Sequence, residues 1–341
     1  MGSAGRINGL LALVAILPGC DKVFGLDTPA QTTPCGVFDE PVPVAIDPDL
    51  VNPVRLTMNH LGEGGLGVVN ARLKDMGSRR DYTVIWQDDM WKYDPTRMNG
   101  MDELANLQLR HATATRHDEN RMYGSLELSN DDKAHLFALQ RGIVGDPTKW
   151  VQEGAEIAAT SNQDSFPGGE LVDTIPGYDD VQRSLPIFRR DFVDGSWTTA
   201  IAERAPGDMT TFSDATAGGL PATQDINDTQ WPTGGSLIRL QKGKQKNAEV
   251  LFYSARPRGD TAGAEIYVTQ RKGGRFLVGT PIATINSDQE DVEPWVDEAC
   301  TTIVFRRADP AGDSTSDDGD TITDGVLYQS TIIDGTGPAG S

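Results

Sequence analysis

One unit recurs along this chain: a short strand, a polar turn, and a second strand ending in Arg or Gln. It is clearest in residues 248–304, AEVLFYSARPRGDTAGAEIYVTQRKGGRFLVGTPIATINSDQEDVEPWVDEACTTIV. There, 249–256 leads through a Gly-rich turn to 264–271 and Phe276. Glu293-Pro294-Trp295 then leads into the next strand, 301–305. The same pair is read in 66–73 with 81–87, in 121–129 with 133–141 and Trp150, in 170–175 with 184–190 and Trp197, and in 301–307 with 325–331. Taking the second strand as marker, Val84, Leu136 and Ile187 stand 52 and 51 residues apart, and the steps to Ile266 and Leu327 are longer.

Each unit alternates apolar and polar residues over short strands, so its sheet has a face to bury and no core of its own. Stacking such sheets in a ring buries both faces and leaves only short edges. The pattern therefore predicts an all-β chain, a β-propeller of five or six four-stranded blades. Five repeats are legible. Residues 210–241, rich in Gly, Thr and Asp, are either a long loop or a degenerate extra blade. The 37 Gly and 20 Pro supply the turns such a fold needs. The best helical candidate is 100–110, GMDELANLQLR, read as an insertion between strands.

Residues 248–307 resemble the repeat of TolB-type β-propellers, and 121–150 do so less closely. That repeat usually carries an Asp-Gly turn before its strand; here Asp297-Glu298-Ala299-Cys300 stands in its place. The resemblance implies a periplasmic interaction partner, without implying the same partner.

The first residues read as an address. Arg6 gives a short positive region, residues 9–17 are an apolar run too short to span a bilayer, and Leu17-Pro18-Gly19-Cys20 follows. This resembles the lipobox of bacterial lipoproteins, with a following stretch similar to predicted myxobacterial lipoproteins. The resemblance implies cleavage before Cys20 and lipidation of that residue, an anchor that needs no transmembrane helix. The alternative is a plain cleaved signal with Cys20 incidental. The expected organisation is a signal peptide over 1–19, a lipidated Cys and tether over 20–45, and the propeller over 46–341. Export allows a disulfide between the remaining cysteines, Cys35 and Cys300, which would staple the tether to the last blade. Two free thiols are the alternative.

The formal net charge of −20 disfavours nucleic acid, whose phosphates require cationic contacts, and docking on anionic lipid. The membrane is expected only through the lipid anchor. No cofactor is expected, with one qualification. Residues 309–324 carry six Asp in sixteen positions, and Asp313, Asp317, Asp318 and Asp320 offer hard oxygen ligands to calcium. The spacing does not fit an EF-hand, and an exposed loop is the plainer reading.

Chemistry is harder to find. His111 and His117 with Asp118 and Glu119 form the most suggestive polar cluster, yet the spacing fits neither a helical nor a strand metal site, and turn residues explain it as well. No G-x-S-x-G elbow is present. Asp88-Asp89, Asp179-Asp180 and Glu290-Asp291 are carboxylate pairs that also read as turn residues. Trp86, Trp91 and Tyr93 form a candidate platform for stacking a sugar or peptide, or else pack between blades. These features point first to a binding or scaffold module at the envelope for a protein, peptide or glycan. The alternative is an envelope glycan hydrolase with two pore-facing carboxylates about 5–10 Å apart.

Overall fold

The computed structural model describes residues 33–74, 79–95, 108–116, 120–127, 133–141, 150–153, 156–157, 163–174, 181–191, 193–204, 212–242, 245–258, 263–308 and 325–333. It is a five-bladed β-propeller. Blade I holds Leu50–Met58, Leu66–Leu73, Arg79–Gln87 and Met90–Tyr93 in that order from the axis outward. Blade II holds Gln108–Ala114, Arg121–Glu127, Ala134–Arg141 and Trp150–Glu153. In blade III the inner position is shared by Gln163–Pro167 and Leu171–Thr174, followed by Val181–Asp191, Trp197–Arg204 and Ser213–Asp214. Blade IV runs Gln230–Arg239, Glu249–Pro257 and Glu265–Lys272, with Arg275–Phe276 and Thr280–Pro281 sharing the rim.

Blade V joins the two ends of the ring. Its inner three strands are Glu290–Val296, Thr302–Ala308 and Gly325–Ile333. Its outer edge comes from the other end of the chain: Val37–Phe38 and Val42–Pro43 both pair antiparallel with Gly325–Ile333. Residues 33–43, within the stretch read as a tether, are therefore structural. Cys35, just before the closing strand, is joined to Cys300 in the turn between the first two strands of the same blade, with Cα atoms 5.7 Å apart.

The core is divided as ring packing requires. Five apolar clusters fill the spaces between neighbouring sheets. Leu185 and Ile187 meet Tyr123 and Leu136 between blades III and II. Phe188 and Ile201 meet Leu237 and Tyr253 between III and IV. Phe252 and Ile266 meet Ile303 and Phe305 between IV and V. Trp295 and Val304 meet Leu56 and Val84 between V and I, and Val68 meets Ala112 and Leu139 between I and II. Alternation within each strand sends one set of side chains to each neighbouring sheet.

Turn chemistry sets the hairpins. Asp88 and Asp89 have φ of 53° and 59°, and Gly273 and Gly274 have φ of 58° and 84°. Two consecutive left-handed residues are what a tight two-residue hairpin requires.

Three readings are refined. Residues 210–241 form no extra blade: among the described residues they give short hairpin strands, the helix Gln224–Thr229 and the inner strand of blade IV. Ile226 of that helix is fully buried between blades III and IV, so the insertion is docked. In blade III the pair read here falls on Leu171–Thr174 and Val181–Asp191, the first and second strands, whereas in the other blades such a pair falls on the second and third. The helix expected over 100–110 ends in strand, since Gln108–Ala114 pairs with Arg121–Glu127; residues 96–107 lie outside the described residues.

Candidate functional site

On the ring axis the inner strands of all five blades enclose a cavity of about 250 Å³. That is smaller than the usual pocket for a drug-sized ligand and suits one small unit of a larger molecule. No inner strand runs regularly through this level. Register shifts fall between Val51 and Arg55, Leu109 and His111, Pro232 and Gly234, and Val292 and Trp295. In blade III the inner strand is interrupted between Pro167 and Leu171. A bulge breaks the ladder locally and re-aims the side chains beside it. Repeated in the ring, this turns Arg55, His111, Phe166, Thr233 and Glu293 toward one space.

Glu293 is the most unusual of them. Its φ is 56°, in the left-handed region that a non-glycine residue rarely adopts. Ser254 holds this backbone: its Oγ accepts from the Glu293 N–H at 3.1 Å and exchanges a 3.0 Å hydrogen bond with the Thr233 hydroxyl. The carboxylate lines the cavity, and its Oε2 is buried with no hydrogen-bond partner inside the protein. A strained backbone that presents an uncompensated carboxylate oxygen is the kind of local cost that functional sites retain.

Arg55 faces it from blade I. Its Nη2 donates to the Thr113 Oγ1 at 2.6 Å and to the Pro167 carbonyl, and its Nη1 lies 3.4 Å from the His111 Nδ1. One guanidinium therefore ties blades I, II and III together at the cavity wall. Burial pushes its pKa down, and the charges of Glu293 and Asp81 oppose that shift. Asp81 itself stands behind the wall, on the third strand of blade I. Burial raises its pKa to about 7, against a 2.9 Å hydrogen bond from the Asn70 amide.

One level further along the strands, Arg116 closes the axis. Its Nε donates to the Glu170 carbonyl at 2.6 Å, and its Nη2 donates to the Ser236 Oγ at 3.0 Å and the Val296 carbonyl at 2.6 Å. It also lies 5.0 Å over the Trp295 ring. Glu170, fully buried, accepts from the Arg116 N–H and from Arg183. Burial lowers the Arg116 pKa to about 10, with nearby carboxylates opposing. Blades II to V are thus pinned through one side chain, which makes this level a plug and the cavity a pocket. Phe166, Phe188, Trp197 and Trp295 give the pocket aromatic walls, with the Phe166 and Trp197 rings 5.7 Å apart.

The sequence-derived candidates fall elsewhere. Trp86, Trp91 and Tyr93 sit on the two outer strands of blade I, and none lines the cavity. Trp91 is fully buried between blades V and I, and its ring meets Trp86 edge-on at 5.3 Å. Cys20, His117, Asp118, Glu119, Asp313, Asp317, Asp318 and Asp320 lie outside the described residues. Among the described residues no group of His, Cys, Asp and Glu is arranged to hold a metal ion, and no helix is long and apolar enough to cross a membrane. Of the carboxylate pairs, Asp88-Asp89 forms a hairpin tip, while Asp291 is buried against Arg307 at 2.8 Å and Glu290 pairs with Arg256. His111 does reach the cavity.

The architecture has solved counterparts. A glycoside hydrolase superposes with a TM-score of 0.50 at 11% identity, over 87% of this chain and 92% of its own. The GH32 β-fructofuranosidase BmSUC1 of Bombyx mori gives 0.51 at 10% identity, over 88% of this chain and 63% of its own. An α-L-arabinofuranosidase from Lactobacillus brevis gives 0.47 at 12% identity, over 85% and 94%. At this identity the likeness speaks to the fold. No family model matches the chain, and no curated protein matches it.

Sequence reasoning missed Arg55, Phe166, Trp197, Thr233, Glu293 and Arg306 as site residues. One signal was present. Pro53, Pro167, Pro232 and Pro294 each fall in an inner strand, and strand proline is confined to edges and bulges.

Proposed function

We propose that this protein acts on a glycan, taking one sugar unit into the cavity on the ring axis, with Glu293 as the carboxylic acid that serves cleavage of a glycosidic bond. Glu293 carries the reading: a carboxylate on strained backbone, with one buried oxygen lacking a partner, among aromatic walls and polar donors. Flat apolar faces beside a few fixed hydrogen-bonding groups are what a sugar ring requires of a pocket. The glycoside hydrolase and the β-fructofuranosidase that share the fold support the glycan-hydrolase expectation over that of a scaffold.

A second reading, glycan recognition without cleavage, is favoured by one observation. Glycoside hydrolysis ordinarily uses two carboxyl groups, and among the described residues lining the cavity Glu293 is the one carboxylate. The two readings separate in one experiment. The purified chain is screened for glycan binding, and each glycan that binds is assayed for new reducing ends. Glu293→Gln should abolish release while retaining binding. Binding with no release from any bound glycan selects the second reading, and no binding to any glycan overturns both.

The setting belongs to the same proposal. Residues 1–20 support export and lipidation at Cys20, and the TolB-like repeat over 248–307 supports the periplasm or cell surface. Unchanged processing and membrane fractionation in Cys20→Ser would remove the anchor from the proposal.

A further inference from the structure

One hydroxyl joins two of the groups that line the cavity. Ser254 lies on the second strand of blade IV and is fully buried. Its Oγ accepts from the Glu293 N–H of blade V at 3.1 Å and shares a 3.0 Å hydrogen bond with the Thr233 Oγ1 of blade IV. Its third contact, with the Gly234 carbonyl, is 3.4 Å. Thr233 and Glu293 both line the cavity, so one buried oxygen holds them side by side across the seam between the two blades.

The fold places both groups by the same device. Thr233 falls in the register shift between Pro232 and Gly234, and Glu293 in the shift between Val292 and Trp295. A residue inside such a shift is left unpaired by the ladder and its side chain is re-aimed. The Glu293 N–H, released from its own sheet, donates to Ser254 of the next one. Gly234, beside Thr233, lies against the Glu293 side chain and carries none of its own to part the strands.

The protons of this cluster have to be shared out. A hydroxyl has one proton to donate and two lone pairs to accept with. The peptide N–H of Glu293 only donates, so it occupies one lone pair of Ser254. The Ser254 proton then has two acceptors within reach, the Thr233 oxygen at 3.0 Å and the Gly234 carbonyl at 3.4 Å. Bonds between hydroxyls centre near about 2.7–2.8 Å and weaken with length, so the Thr233 oxygen is the better acceptor. That arrangement leaves the Thr233 proton unused within the cluster, on a side chain that faces the cavity. The Glu293 Oε2, in the same wall, is an acceptor without a partner inside the protein.

From this we infer that Thr233 reads the ligand: its hydroxyl donates to an oxygen of the bound sugar that itself donates to the Glu293 carboxylate, and Ser254 is the positioning residue that couples the two. An oxygen that both accepts and donates is a hydroxyl; a carboxylate or an ether oxygen only accepts, and an ammonium group only donates. The pocket therefore selects a unit with a free hydroxyl at this point and rejects one whose oxygen there is removed, methylated or acylated. The inference rests on the reading of the cavity as a glycan site and adds what that site demands of the sugar.

The probes are oligosaccharides of glucose, galactose, mannose, xylose, arabinose and galacturonate, followed by the monodeoxy and mono-O-methyl derivatives of the one that binds best. Binding to the full chain is measured by calorimetry. One ring position should stand out, where both derivatives bind roughly tenfold or more weakly, since a hydrogen bond to a charged group has that weight. Thr233→Val keeps the side-chain volume and loses the hydroxyl. It should bind the parent about three- to tenfold more weakly, and the deoxy penalty at that position should shrink by the same factor. In Ser254→Ala the penalty should shrink as well, a change of selectivity that lost stability alone does not produce. Circular dichroism confirms the fold of each variant. A wild-type series with no sensitive position overturns the demand for a free hydroxyl, whatever the variants do. A penalty that persists in full in Thr233→Val overturns the assignment to Thr233 and leaves the glycan pocket standing. Binding to none of the oligosaccharides overturns the glycan reading and this inference with it.

Discussion

Gly234 makes room for Glu293. A Cβ built on Gly234 would stand 3.0 Å from the Glu293 Cγ and 3.2 Å from its Cα. The inner strands of blades IV and V thus come close together where the pocket carboxylate is set. Gly234→Ala should move Glu293 by a few tenths of an ångström while altering little else. Positioning errors are costly at a reacting centre. We expect turnover, or glycan affinity if there is no turnover, to fall by about tenfold or more, with Tm lowered by only a few degrees. A variant with wild-type kinetics and affinity would show that the position of Glu293 is not critical.

Arg116 should be the most sensitive position in the ring. Arg116→Met keeps much of the volume but abandons the carbonyls of Glu170 and Val296 and the Ser236 hydroxyl in a buried place. Removing one member of a buried charged network costs about 3–5 kcal/mol. The check is a urea titration, in which the midpoint falls while the slope holds. A shift below about 1 kcal/mol would mean that blades II to V are not joined through this side chain.

The bond between Cys35 and Cys300 should resist alkylation in the unreduced native protein and become reactive after reduction. Its loss in Cys35→Ser should cost about 2–5 kcal/mol, the range for a native disulfide in a chain-entropy account. Hydrogen exchange should quicken first at Val37–Phe38, the strand it holds. Full labelling of both cysteines without reductant would contradict the bridge.

Asp81 makes stability depend on pH. Its pKa rises from an ordinary 3.8 to about 7 because burial penalises the charged form. The folded state therefore holds a proton that the unfolded state has released between about pH 4 and pH 7. This contribution is complete below the unfolded value and is lost as pH climbs through the folded one. The loss is on the order of a few kcal/mol at most. Asp81→Asn keeps an oxygen for the Asn70 amide and carries no charge. It should flatten the profile over that window and be the more stable protein above pH 7. Parallel pH profiles for the two proteins would rule Asp81 out as the cause.

Much of the ring was legible because second and third strands are short, regular apolar runs bounded by turns. Glu249–Pro257 and Glu265–Lys272 bury one face against each neighbour, and their spacing repeats. The inner strands were not legible, because bulges at Arg55, His111, Gly234 and Glu293 break the period that sequence reading relies on. In blade III the legible pair falls one strand further in, where the inner position is split around Gly168 and Gly169. The irregularity that hid these strands also builds the site. His111 was noticed and explained as a turn residue, while Glu293-Pro294-Trp295 was seen only as a repeat marker. The aromatics Trp86, Trp91 and Tyr93 attracted attention by clustering in sequence, but hairpin strands place such neighbours at the rim.

The closing strand also sets an order of assembly. Val37 pairs with Ile333, so this strand leaves the ribosome before the ring it closes and finds its partner only after the rest of that ring has been made. At about 5–20 residues per second that interval is roughly 15–60 s. Throughout it the early strand has no sheet to join, and blade V exists only as an idea of the sequence. The nascent chain must therefore be kept from pairing that strand with a neighbouring copy, whose own blade V would accept it equally well.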